Sequence, residues 1–229
     1  MGLQEDHSVR QPALRAPAVV IGLIALLAIL HAARVWAPAP WPDQIASDYA
    51  LTPLAYLPGG DWFHRLVPPF SHMLLHGSWT HLVINCVWLL AFGPAVARRF
   101  GNIAFVLFFV LCGLAGAFLF VAMEWGVAVG AVGASGAISG LMGAAIRMMD
   151  IRNPYLNPLD MPLQPLFSRQ VLMFSVAFLL LNLLSGAFGF LFVGPGTEIA
   201  WQAHVGGYLA GVLLAGPFDR TLGTIHRFT

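Results

Sequence analysis

Long apolar stretches constrain this chain more than any other feature it has. Residues 18–36, 78–97, 102–123, 130–148, 170–192 and 200–217 are each dominated by apolar side chains. Each run approaches the ~20 residues that an α-helix needs to cross a hydrocarbon core. Inside a bilayer every backbone N–H and C=O must be bonded within the protein, so such segments fold as helices. The expected fold is an all-α polytopic membrane protein, a bundle of six transmembrane helices. Composition points the same way. Of the 229 residues, 59% are hydrophobic and 9% charged, too little charge to cover a soluble domain of this size. A net charge of +1 without any basic run argues against nucleic acid as a partner.

The expected organisation is a short cytoplasmic tail over residues 1–16, a six-span membrane domain over 17–217, and a second short cytoplasmic tail over 218–229. The first apolar run is long and ends at Arg34, with no small-residue cleavage site, so it reads as a retained span. All 11 basic residues are arginine. With the N-terminus in the cytoplasm, Arg10, Arg15, Arg98, Arg99, Arg147, Arg152, Arg169, Arg220 and Arg227 all fall inside; Arg34 and Arg65 fall outside. The positive-inside bias therefore predicts that both termini are cytoplasmic, in an integral multi-pass protein of a bacterial inner (plasma) membrane. Trp41, Trp62 and Trp79 place the outer segment 37–77 at the headgroup level. The proline-rich inner loop 150–169 is expected to run along the opposite surface. Cys86 and Cys112 lie inside apolar runs and read as small buried residues rather than a disulfide. No internal repeat of the transporter kind is visible, and no feature specifies an oligomer.

Polar residues at membrane depth are costly and tend to be functional. Three clusters stand out: HGSWTHLVINCVW (76–88), GASG around Ser135, and AHVGGYLAG (203–211). His81 and Asn85 are four apart and share one helix face. No carboxylate lies in the middle of a span; Glu124 and Glu198 sit at outer ends. That counts against an ion-coupled transporter. His72, His76 and His81 lack metal-ligand spacing, so neither a metal nor a cofactor is expected. A serine needs a base to become nucleophilic, and a tetrahedral intermediate needs donors aimed at its oxyanion. Ser135, His204 and the pair His81/Asn85 supply these three kinds of group at matching depth. Taken singly, Ser135 and Ser139 also fit helix packing, His204 a structural histidine, and Asn85 interhelical hydrogen bonding. Gly136 and Gly140 form one GxxxG face and Gly207 and Gly211 another, so the helices bearing Ser135 and His204 can approach closely.

With these residues the chain resembles the rhomboid family of intramembrane serine proteases, from about residue 45 to 217. The matching pieces are HMLLHGSWTHLVIN, the frame around Phe92 and Phe100, GASG and AHVGGYLAG. The resemblance implies six helices around a water-filled cavity open to the outside. It implies Ser135 as nucleophile and His204 as general base, a dyad without a third acid. It implies an oxyanion site of His81, Asn85 and the Ser135 backbone N–H, supported by Gly133 of GASG, and by His76 and Gly77. Single-span membrane proteins, met among membrane lipid, are the implied substrates. The chain departs from some members in three places. Ser139 stands where a tyrosine stacks under the histidine, Ala97 stands where a glutamate follows the second span, and Trp62 and Arg65 are separated rather than adjacent. Two other readings follow from the same residues: a catalytically silent rhomboid-like protein that binds membrane clients, and a small-solute transporter or channel.

Overall fold

The computed structural model describes residues 16–152, 159, 161–188 and 199–221. Its regular structure is helical: α1 (Ala18–Val35), α2 (Trp41–Tyr49), α3 (Trp62–Leu66), α4 (Pro68–Ser71), α5 (Trp79–Phe100), α6 (Asn102–Met123), α7 (Ser135–Met148), α8 (Arg169–Phe188) and α9 (Trp201–Thr221). Among the described residues there is no β-strand, only an isolated antiparallel bridge between Leu51 and Ala131. Among the described residues four helices, α1, α5, α6 and α8, are long and apolar enough to cross a membrane. Ser135 and His204 are carried by helices outside that set, α7 and α9.

Local chemistry sets where the helices start and stop. Ser78 caps α5, its hydroxyl accepting the His81 backbone N–H at 3.2 Å. The helix then runs to Phe100, three residues beyond the expected end, and stops at Gly101, whose φ of +82° suits glycine. The next helix, α6, begins one residue later. The fourth apolar run behaves differently from expectation. Its helix begins at Ser135 rather than at 130, because Gly133 adopts a φ of +125° that a helix cannot contain. The last helix continues to Thr221, past the expected 217, and Asp219 there is gripped by Arg99 of α5 through bonds of 2.7 and 2.9 Å. The N-terminal tail with Arg10 and Arg15, together with Glu198 and Arg227, lies outside the described residues.

α7 occupies the middle of the bundle. Every residue from Gly136 to Met148 except Met142 is buried, and α5, α6, α8 and α9 all pack against it. Glycines make the closest of these approaches. A Cβ on Gly207 of α9 would lie 1.9 Å from the Gly136 carbonyl oxygen, and one on Gly211 would lie 2.0 Å from that of Gly140. Helix backbones touch here with no side chain between them. By contrast α8 sits at the edge, with exposed leucines at 180, 181, 183 and 184.

The two ends of the bundle differ in charge. Ser135, His81 and His204 lie near the starts of α7, α5 and α9; Arg98, Arg99, Arg147 and Arg220 lie near the finishes of the same helices. Arg147 is buried, and its guanidinium donates to Gln164 O at 3.0 Å and Val212 O at 2.7 Å. Ala97 is also buried. At the opposite end the segment 37–77 folds on itself. Arg65 donates to Ala55 O at 2.9 Å and Leu57 O at 2.8 Å while its guanidinium lies 5.7 Å from the centre of the Trp62 ring. Two backbone bonds between Leu51 and Ala131, of 3.0 and 2.9 Å, fasten this segment to the loop that leads into Ser135.

Candidate active site

Ser135 is the first residue of α7, and its Oγ lies 2.8 Å from His204 Nε2. This contact follows from the glycine packing. Gly136 is the next residue after Ser135, and Gly207 is one turn along α9 from His204. Their backbones meet, so the short serine and the imidazole span what separation remains.

The N-terminus of α7 is uncapped. Ala134 precedes it and offers no side-chain acceptor. The first backbone bond into the helix runs from Ile138 N–H to Ala134 O, so the earlier N–H groups have no intrahelical acceptor. The positive end of the helix dipole therefore falls on Ser135. Gly133, just before it, donates its own N–H to His72 O at 2.8 Å. A Cβ on Gly133 would lie 2.8 Å from both Cε1 and Nε2 of His81, and 3.6 Å from Ser135 Oγ. The His81 ring and the Ser135 hydroxyl thus flank one point, which the missing side chain keeps open.

Asn85 lies one turn along α5 from His81 and is buried. Its Nδ2 donates to His81 O at 3.0 Å, which leaves the second amide N–H for another acceptor. His76 stands behind this pair, its ring centre 5.2 Å from that of His81. Its carbonyl oxygen accepts from Arg34 Nη2 at 2.7 Å, while the ring nitrogens of His76, and those of His31 on α1, are buried without a protein partner among the described residues. Burial above all, with positive charge on His81, His31 and Arg34, pushes His76 down to about 3; burial pushes His72 to about 4. Both are neutral at pH 7. A Cβ at Gly77 would touch His81 Nδ1 at an ordinary 4.0 Å. Ser139 is buried one turn below Ser135 and makes no hydrogen bond to His204 among the described residues. No group of three or more His, Cys, Asp or Glu side chains there could hold a metal ion.

One residue near the pair carries no motif. The other ring nitrogen of His204, Nδ1, lies 2.9 Å from Oδ1 of Asn182 on α8. The only trace of Asn182 in the sequence is an amide in the middle of FLLLNLL, where a polar group at membrane depth invites a partner.

Fold and site together define an integral membrane protein of helices, with a serine bonded to a histidine inside the bundle. Residues 64–219 match the rhomboid domain, and the chain belongs to the rhomboid family. Two relatives illustrate the likeness. "Putative rhomboid protease YdcA" of Bacillus subtilis (strain 168) is 30% identical over 137 residues, 58% of this chain and 62% of that protein. "Rhomboid-like protease 3" of Toxoplasma gondii is 26% identical over 177 residues, 76% of this chain and 59% of that protein. The chain therefore matches about three-fifths of the length of each relative.

Proposed function

We propose that this chain is an intramembrane serine endopeptidase that cleaves single-span membrane proteins within or near their transmembrane segment. The observation that carries the reading is the 2.8 Å contact between Ser135 Oγ and His204 Nε2. A serine hydroxyl at membrane depth, bonded to an imidazole and flanked by uncommitted N–H donors, is suited to acyl transfer. Neutral His204 takes the hydroxyl proton as Ser135 Oγ attacks the scissile carbonyl. The oxyanion receives hydrogen bonds from the Ser135 N–H, His81 and Asn85, in the space that Gly133 leaves open. The C–N bond breaks as His204 returns the proton to the leaving amine, and the acyl group stays on Ser135. Water, deprotonated by His204, then releases the new carboxyl end and restores the serine.

The same reading sets α1 and α5–α9 as six spans, with both termini cytoplasmic, in a bacterial inner membrane. The arginines at the end of the bundle away from Ser135 support this orientation. It makes the site accessible to water from outside, with lipid around the bundle and substrate arriving sideways. A substrate helix keeps its backbone bonded internally, so a segment weakened by small or helix-breaking residues is the preferred target. Purified protein in liposomes with a generic single-span substrate tests this. Wild type should cleave it and take up a fluorophosphonate on Ser135, and Ser135→Ala should do neither. A folded wild type that neither cleaves nor labels would replace this reading with that of a client-binding rhomboid-like protein.

A further inference from the structure

The geometry points to Asn182 as a positioning residue that holds the His204 ring in the one tautomer able to act as base, making Ser135–His204–Asn182 a three-membered hydrogen-bonded array. The inference rests on the proposed serine-protease reading. Three distances carry it. His204 Nε2 lies 2.8 Å from Ser135 Oγ, His204 Nδ1 lies 2.9 Å from Asn182 Oδ1, and Asn182 Nδ2 lies 2.9 Å from the Phe178 carbonyl oxygen.

The last of these distances decides the other two. Phe178 O only accepts, so the Asn182 atom facing it must be the NH2 group. Turning the amide over would set two oxygens against each other at the same separation. The Asn182 oxygen therefore faces His204, and it also only accepts. Nδ1 must then carry the proton and donate it. In a neutral imidazole this leaves Nε2 as a bare acceptor, and Nε2 is the atom that faces the serine. The same order of nucleophile, histidine and oriented acceptor recurs in serine and cysteine hydrolases of unrelated fold.

Asn182 is itself held in place. α8 and α9 meet along a ladder in which Ser175 Oγ and Tyr208 Oη are 3.0 Å apart and the Phe178 and Tyr208 rings stack with centres 4.2 Å apart. Asn182 meets His204 one turn further, and beyond it Gly186 admits Trp201, since a Cβ there would lie 2.3 Å from that ring. Positions 175, 178, 182 and 186 share one face of α8. Tyr208 is fully buried, so the register of this edge helix is fixed by its contact with α9. The amide also occupies the supporting role that Ser139, with no bond to His204, does not fill.

Leucine and aspartate at position 182 separate positioning from packing. Leucine is close in size and suits an apolar span, so a packing role predicts that Asn182→Leu is harmless and Asn182→Asp harmful. Positioning predicts the reverse order. Asn182→Leu should lower kcat by about 10- to 100-fold with KM within about twofold, because ring orientation is lost and substrate contacts are not. Asn182→Asp should keep most of the turnover and move the acid limb of kcat/KM to higher pH. A carboxylate beside the ring favours imidazolium, and His204 must be neutral to act as base. Nitrogen-15 NMR of His204 in wild type should report the Nδ1–H tautomer, and in Asn182→Leu a shift towards the Nε2–H form. Unchanged kcat in Asn182→Leu, or an Nε2–H tautomer in wild type, would overturn the inference. Ser135→Ala in the same assay keeps the two readings apart. An inactive Ser135→Ala beside a fully active Asn182→Leu removes only the positioning role. Turnover that persists in Ser135→Ala removes the protease assignment, and the tautomer still decides what Asn182 does.

Discussion

Replacing Gly207 with alanine should separate Ser135 from His204 without altering either. A Cβ at Gly207 would lie 1.9 Å from the Gly136 carbonyl oxygen and 2.7 Å from its carbon. Both atoms belong to the backbone of the most buried helix, and neither can swing aside. Ordinary contact begins near 3.4 Å, so α7 and α9 must part by about 1.5 Å at this level. The strain is applied next to the Ser135–His204 contact, since Gly136 follows Ser135 directly and Gly207 is one turn from His204. Passing on even about two-thirds of that displacement stretches the 2.8 Å contact beyond hydrogen-bonding range. A misplacement of about 1 Å costs about 100-fold in rate elsewhere, and loss of the base costs more. Gly207→Ala is therefore expected to lower both fluorophosphonate labelling and substrate cleavage by at least about 100-fold, with helix content by circular dichroism unchanged. Gly22→Ala is the control. A Cβ there meets nothing within 4 Å, so alanine should stabilise α1 by up to about 1 kcal/mol through helix propensity and leave turnover alone. Wild-type labelling and turnover in Gly207→Ala would refute the claim that backbone contact between these helices sets the dyad distance.

Other substitutions probe the surroundings of the pair. Gly133→Ala combines a φ of +125° with a 2.8 Å contact to the His81 ring; it should cost about 1–3 kcal/mol in backbone strain and lower kcat by driving His81 away, and an unchanged kcat would remove His81 from the oxyanion site. Asn85→Ala should slow cleavage by up to about 100-fold with the fold intact, less than a sole oxyanion donor would cost because others remain; turnover equal to wild type would mark Asn85 as interhelical packing only. His72 and His76 stay neutral in the folded protein down to about pH 4 and 3, yet ionise near 6.5 when unfolded. Stability should therefore fall as pH drops below 6.5, by roughly 4 kcal/mol from the two together at pH 5. His76→Leu should flatten that fall by about half as much in detergent unfolding curves, and a pH dependence identical to wild type would contradict the buried neutral state.

The parts of this protein that were legible in its sequence are those that a bilayer dictates. Apolar run length marks α1, α5, α6 and α8 directly, and the GxxxG spacings mark the faces on α7 and α9 that meet. The start of α7 is less visible: residues 130–134 read as part of the span, and only the φ of +125° at Gly133 shows that the helix begins after them. Asn182 was legible only as an amide in an apolar run, with nothing to name its partner. Its meaning depends on the register of α8 against α9, which Tyr208 sets from 26 positions away in the chain. The self-contacts of Arg65 and Trp62 were hidden for a similar reason. The sequence shows two residues three apart, and only the folded segment shows the guanidinium reaching Ala55 O and Leu57 O.

The shortness of α7 ties these features to chemistry. With 14 residues against 22 in α5 and α6, it is about 12 Å shorter than its neighbours at 1.5 Å per residue. A helix that began level with them would put its uncapped N–H groups at the surface, where water satisfies them. Beginning lower, α7 brings those donors and the positive end of its dipole to Ser135 inside the bundle, where the oxyanion of the proposed reaction would gain most from them. The space above is filled by the returning loop, held through Ala131 to Leu51 and through Gly133 to His72. Burying a helix start this way leaves polar groups at depth, and the surrounding helices must be tolerant of them. Ser135 and His204 accordingly lie on α7 and α9, outside the set of long apolar spans among the described residues. Extending α7 upward by replacing Gly133 with a helix-forming residue would cover the donors with intrahelical carbonyls, so the glycine that bends the chain before Ser135 keeps those N–H groups free.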